Sequence, residues 1–306
     1  MAFARNVLSI AQQIGIRLVI PTVICLLSSC TVVNTATPLP KQTPTPIPSF
    51  TSTPGSLPAS SSSATKAAVE NQDDSVLISL VEAHPASEVV VPILLYHHIA
   101  AQGSDQRYFV TPTQFAEQMQ WLVDHGYEAI TEAQLAEVIG NGGVLPEKPV
   151  IITFDDGNAD FFKGAYPVMS RLKLVGVAFL ITDRIDQPGS INSDQVRELI
   201  NAGWEIGSHT ASHPDLLDQR TNPSQEIGGS REWLNRQFGI NVVSFAYPYG
   251  LMDDSIAKMV RENGYTSAAR LGGRIRQSQD DLYFLGRTEI RGDYTMAEFV
   301  ELMPWK

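Results

Sequence analysis

Pro149-Val-Ile-Ile-Thr-Phe-Asp-Asp-Gly157 decides how the chain is read. Pro149 to Phe154 is apolar or β-branched without polar alternation, as in a strand buried on both faces of a parallel sheet. The run ends in two adjacent carboxylates and a glycine. Asp-Gly alone is a common turn signal. At the C-terminal end of a strand in a parallel barrel, however, the same residues would stand on the active-site face. Adjacent side chains there point in different directions, so Asp155 and Asp156 can do different jobs.

Outward from this stretch, 89–96, 175–181, 204–208, 242–247 and 265–269 read as further strands. Helical spacing covers 113–125, with Phe115, Met119, Leu122 and Val123 apolar and Thr113 as N-cap. It recurs over 131–139, where Thr131 and Gln134 form a capping box, and over 161–172, 193–202 (capped by Ser193), 224–238, 255–263 and 295–303. Strands alternating with helices argue for parallel βα units. About seven units in roughly 220 residues suit a barrel-like α/β fold better than an open sheet.

Hydrophobic residues are 43% and charged residues 18%, which excludes a wholly disordered or collagen-like chain. The net charge is −11 and no long Lys/Arg block is present, which argues against nucleic acid as a partner. Cys25 and Cys30 are the only cysteines, so disulfides and thiolate metal sites have no role beyond residue 30. The apolar run 18–27 is short for a membrane span and suits a signal-peptide core. Leu27-Ser-Ser-Cys30 resembles a bacterial lipobox, which implies cleavage before Cys30 and a diacylglyceryl group on its sulfur; an ordinary signal peptide or an uncleaved anchor is the alternative. Losing residues 1–29 removes Arg5, Arg17 and no acid, taking the charge from −11 to −13. Ser, Thr and Pro make up 20 of the 29 residues from 37 to 65, a composition that stays solvated and extended. The expected organisation is a signal peptide at 1–29, a disordered tether at 30–85 and a catalytic domain at 86–306. The expected location is outside the cytoplasm, lipid-anchored on the outer side of the cytoplasmic membrane or in the periplasm or outer membrane, with the lipid as the only membrane contact. No partner protein is visible, and a monomer is expected.

Polar residues gather after the strands. The strand at 204–208 runs into His209-Thr-Ala-Ser-His213, and the strand ending at Tyr96 runs into His97-His98. If 209–213 is helical, its two histidines share one face at the spacing that chelates a metal; the bland reading is two surface histidines. Joined with Asp156 they form a set of two imidazoles and one carboxylate with open positions, a catalytic type of site. Such a metal would acidify a bound water and polarise a carbonyl. Asp155 could take the water's proton, and His97 or His98 could protonate the leaving group. The implied chemistry is amide or ester hydrolysis.

Thr153-Phe-Asp-Asp-Gly157, Ser208-His-Thr-Ala-Ser-His213 and Ser244-Phe-Ala-Tyr-Pro-Tyr-Gly250 resemble, in order and spacing, three motifs of the polysaccharide deacetylases, carbohydrate esterase family 4 with the NodB-homology domain. The resemblance covers about residues 90–303. It implies a distorted (β/α)7 barrel and removal of N-acetyl groups from amino-sugar polymers, or of O-acetyl groups from xylan. It also implies Asp155 as general base, and Asp156, His209 and His213 as ligands of zinc, or of cobalt or nickel. The backbone N–H of Tyr249 becomes the oxyanion donor, and its ring a sugar contact. Two departures stand out. The arginine that opens the family's third motif is Ala246 here, and the C-terminal histidine that serves as acid is missing. Leu94-Leu-Tyr-His-His-Ile99 resembles the N-terminal motif of the poly-β-1,6-N-acetylglucosamine deacetylase branch, which makes His97 the acid. Arg287 is the candidate for the missing base-orienting arginine, with a surface salt bridge as its alternative. The expected function is therefore metal-dependent N-deacetylation of an exopolysaccharide or cell-wall glucosamine polymer, without cleavage of the polymer. An O-acetyl xylan esterase and a non-catalytic sugar-binding module are the alternatives.

Overall fold

The computed structural model describes residues 82–84, 88–101 and 105–306. The signal segment, Cys30 and residues 31–81 of the tether lie outside the described residues. Strand Glu82–His84, at the end of the stretch assigned to the tether, pairs antiparallel with Gly143–Leu145, so the folded unit begins by Glu82.

Seven parallel strands close a barrel: β1 (Ile93–Tyr96), β2 (Pro149–Phe154), β3 (Val177–Leu180), β4 (Glu205–Ser208), β5 (Ser244–Ala246), β6 (Ser267–Leu271) and β7 (Leu285–Glu289). Each lies beside its neighbours in sequence, and β7 returns to β1 through Thr288↔Leu94. The closure is uneven. β1 and β2 pair from Ile93↔Ile151 to Tyr96↔Phe154, whereas β4 and β5 share only Ser208↔Phe245. Helices α1 (Pro112–Asp124) and α2 (Glu132–Asn141) both fall between β1 and β2. Helices α3 (Ala159–Leu172), α4 (Ser193–Asn201), α5 (Ser230–Phe238) and α6 (Asp254–Glu262) follow β2 to β5, and α7 (Met296–Glu301) follows β7. Between β6 and β7 stand only strand Arg276–Ser278 and a 3-10 turn. This is the distorted (β/α)7 barrel.

The two faces of each strand feed two separate cores, as period-2 alternation requires. Ile93, Ile151, Val177, Phe179, Ala246, Ala269 and Leu285 face inward, where Leu135 and Ile139 of α2 join them. Leu94, Ile152, Phe154, Leu180 and Phe245 face outward under Phe115, Met119 and Phe161 of the helices. Phe161 and Tyr247 are buried in this outer core.

Several local expectations are corrected. Thr111, not Thr113, caps α1: its side chain accepts the Gln114 N–H, and Pro112 fills the first turn, where its missing N–H costs nothing. Asn192 rather than Ser193 caps α4. The Thr131–Gln134 box on α2 is present. The 89–96 run divides at Pro92. Glu88–Val90 pairs with Arg276–Ser278, and only Ile93–Tyr96 enters the barrel. Strand β7 was not among the strands read from the sequence.

Candidate active site

The inward frame continues past the hydrophobic core to the C-terminal rim of the barrel. There it presents His97 beyond β1, Asp155 beyond β2, His209 beyond β4, and Arg287 and Glu289 on β7, around a cleft of roughly 440 Å³.

Asp155 and Arg287 form a buried, two-pronged ion pair. Arg287 Nη1 and Nη2 donate to Asp155 Oδ1 and Oδ2 at 2.6 and 2.7 Å, and the guanidinium carbon lies 5.3 Å from the centre of the Phe179 ring. Arg287 is only 1% exposed, which overturns the surface salt-bridge alternative. Burial pushes the Asp155 carboxyl up, but Arg287, followed by His209, outweighs it and holds the group down at about 2. The small Ala246 and Ala269 side chains on β5 and β6 leave the interior open to an arginine arriving from β7.

Asp156 reaches the same cleft by leaving the strand frame at φ 71. Its Oδ1 lies 3.5 Å from His213 Nε2 and 3.8 Å from His209 Nε2, and the ligand atoms of the three residues fall within 4.8 Å of one another. The 209–213 stretch is not a helix. Thr210 and His213 both adopt positive φ, and Thr210 Oγ1 accepts the His213 N–H at 2.9 Å. Glu226 pins the loop by accepting the N–H groups of Ala211 and Ser212. A tight loop, rather than one turn of helix, therefore brings the imidazoles together. Asp156, Thr210, His213 and Tyr249 are four of the six non-glycine residues at positive φ among the described residues, and this concentration of unfavourable backbone marks the rim as functional.

The donor chemistry fits a divalent first-row ion. His209 Nδ1 donates to the Ala246 carbonyl at 2.7 Å, which fixes the ring and leaves Nε2 as the ligand atom. Burial, followed by the charge of His209, pushes His213 down to about 4, so it is a neutral imidazole at neutral pH.

His97 lines the cleft edge-on to Tyr108, with ring centres 4.9 Å apart. Burial lowers its pKa, while the charges of Asp155, Asp156 and Glu289 pull the other way. His98 serves the scaffold: Nδ1 meets Asp160 Oδ2 at 2.8 Å and the ring stacks on Phe109. Tyr249 sits on the rim at φ 59 and 59% exposed, its ring 4.6 Å from that of His213. Polar and aromatic lining residues that escaped the sequence reading include Glu289, and Arg107 and Tyr108 beside it, with Arg107 Nε 2.7 Å from Glu289 Oε2. Glu289 was findable as the next inward position after Arg287; nothing in the sequence marked the other two.

The sequence model described as polysaccharide deacetylase matches residues 142–268, the segment holding Asp155, Asp156, His209, His213 and Tyr249. Over that segment the chain is similar to the polysaccharide deacetylase family. The poly-β-1,6-N-acetyl-D-glucosamine N-deacetylase of Staphylococcus epidermidis is 28% identical over 203 residues, covering 61% of this chain and 70% of its own. A crystal structure of a polysaccharide deacetylase from Bacillus cereus superposes with a TM-score of 0.63 at 28% identity, covering 70% of this chain and 69% of that one. The Streptococcus pyogenes deacetylase PplD, solved with acetate, has a TM-score of 0.64 at 25% identity, covering 70% and 98%. His97, Glu289 and Arg287 lie outside the segment that the family model matches, yet the barrel brings all three to the rim beside it.

Proposed function

We propose that this polysaccharide deacetylase is a metal-dependent hydrolase that removes N-acetyl groups from an N-acetylglucosamine polymer outside the cytoplasm, tethered by lipid on Cys30. The observation that carries the reading is the juxtaposition of a buried, ionised Asp155 with the Asp156–His209–His213 set. The identity with the S. epidermidis enzyme supports a glucosamine polymer. Asp156, His209 and His213 would hold zinc, or cobalt or nickel, and the ion would supply Lewis acidity to water and to the acetyl carbonyl.

The chain's own groups do the rest. Asp155 removes a proton from the attacking water, and Arg287 keeps the carboxylate ionised and aimed. The backbone N–H of Tyr249 serves the developing oxyanion, an interaction worth about 3–4 kcal/mol in general. His97 gives a proton to the amide nitrogen as the C–N bond breaks, releasing acetate and leaving a free amine on the sugar. Once Asp155 has taken its proton, one of the negative charges that raise the pKa of His97 is gone, which makes His97 a stronger acid when the amine departs.

The test is acetate release from N-acetylglucosamine oligomers of β-1,6 and β-1,4 linkage and from acetylated xylan, on metal-stripped protein with and without added zinc, cobalt or nickel. Metal-restored release from a glucosamine polymer is expected. Release from xylan alone would make the protein an esterase, and no release despite stoichiometric metal binding would make it a sugar-binding module.

A further inference from the structure

The histidines at this end of the barrel are held in different ways. His98 is tied to Asp160 and His209 to the Ala246 carbonyl, whereas no hydrogen bond holds the His97 ring among the described residues. His97 stands one residue past β1, half-buried on the cleft wall. The last torsion of a histidine side chain has broad minima. Without a partner, the imidazole would spread over orientations in which neither nitrogen faces a leaving group, and small misplacements of a reacting group are costly.

The aromatic ring beside it is that of Tyr108. The two rings meet edge to face, with centres 4.9 Å apart and planes at 71°, an arrangement that aromatic quadrupoles favour. Tyr108 is itself fixed from both flanks. Towards β1, its carbonyl accepts the His98 N–H at 3.0 Å, and the next residue, Phe109, pairs with His98 in register and stacks on its ring. Towards β7, the Gly292 N–H donates to the Gln106 carbonyl at 2.8 Å, and a Cβ on Gly292 would collide with the Phe109 carbonyl. Arg107 adds a side-chain tie: its Nε donates to Glu289 Oε2 on β7 at 2.7 Å, and its guanidinium carbon lies 5.1 Å from the centre of the Tyr108 ring. Residues 106–109 are thus clamped between the ends of β1 and β7, and they deliver the Tyr108 ring to the cleft beside His97.

We infer that Tyr108 is a positioning residue: its ring fixes the orientation of the His97 imidazole, so that a ring nitrogen meets the departing amine. The inference rests on the role of His97 proposed above.

The test uses the full chain loaded with zinc. Tyr108→Leu removes the ring, and Tyr108→Phe keeps it. Two acetyl substrates separate acid catalysis from the rest of the reaction. An N-acetylglucosamine oligomer releases a basic amine, which needs a proton; 4-nitrophenyl acetate releases a weakly basic phenolate, which does not. Tyr108→Leu should lose about tenfold or more in kcat on the oligomer and stay within about twofold of the parent on the ester. Tyr108→Phe should match the parent on both. The freedom of the ring is read by carbon-13 relaxation of labelled histidine, with His97 assigned by the loss of its signal in His97→Gln. Its order parameter should fall in Tyr108→Leu and stay parental in Tyr108→Phe. Equal losses on both substrates would make Tyr108 a general support of the cleft, and a change confined to KM would make it a platform for the sugar. Either result, or an unchanged His97 order parameter in Tyr108→Leu, overturns the inference. If the parent releases acetate from the ester and from no amide, the deacetylase reading falls and takes the acid role with it, while the relaxation data still decide whether Tyr108 holds the ring.

Discussion

Replacing Arg287 by Gln removes the guanidinium and leaves Asp155 buried without the cation that bonds both its oxygens. In the parent, Asp155 is held at about 2 against an ordinary 3.8, a depression worth about 2.5 kcal/mol. A depressed carboxylate contributes stability that is present above its unfolded pKa of 3.8 and lost as pH falls through 2. Without Arg287 the balance reverses. Burial now raises the carboxyl above its ordinary value, so the variant loses stability as pH rises from that value towards the new one. Breaking a buried pair by removing one partner costs about 3–5 kcal/mol. Denaturant unfolding of metal-free protein should therefore show a larger deficit for Arg287→Gln at pH 7 than at pH 4, where the variant's Asp155 is protonated. Acetate release should fall at least about a hundredfold, since the base is both misaimed and partly protonated. Zinc content should stay near the parental level, because the ligand set does not include Arg287. Arg287→Lys keeps the charge but loses the fork and should fall between the two. An equal stability loss at pH 4 and pH 7, or a parental kcat in Arg287→Gln, would show that Arg287 does not hold Asp155 ionised.

The roles of the other residues separate by pairing metal content with rate. Asp155→Asn should keep metal and lose about 10²–10⁴ in kcat, measured by acetate release beside zinc analysis; normal turnover would remove it as base. His209→Ala should lose both metal and activity, and full zinc occupancy after dialysis would end its role as ligand. His97→Ala should slow turnover about a hundredfold or more with zinc unchanged. An unchanged rate would leave solvent as the acid, because His98 is committed to Asp160.

The parts of this molecule that obey a simple period were legible from sequence. Pro149–Phe154 is apolar apart from the β-branched Thr153 because both its faces meet a core, and its length and flanks identified β2 without help. The Thr131–Gln134 box likewise announces α2 by local chemistry alone. Strand β7 was hidden because its inward positions carry Leu285, Arg287 and Glu289, so the polar residues that build the site disguise the strand that presents them. The proximity of His209 and His213 was legible and its cause was not. Helical spacing and a loop with two residues at positive φ bring the rings together equally well, and only backbone geometry separates the two. Glu132 reads as an ordinary acidic residue in the first turn of a helix. Its burial against Ser267 of β6 follows from where α2 meets the barrel, and no local pattern encodes that.

In the proposed mechanism one metal ion held by Asp156, His209 and His213 switches on deacetylation by Asp155. Its most direct test titrates zinc into metal-stripped protein while acetate release from a β-1,6-linked N-acetylglucosamine oligomer is recorded, in parallel with His213→Ala. Expected are no activity without metal, a linear rise that saturates at one zinc per chain, and no rise in the variant at the same zinc concentrations. Full activity in the stripped protein, or parental activation of His213→Ala, would contradict it.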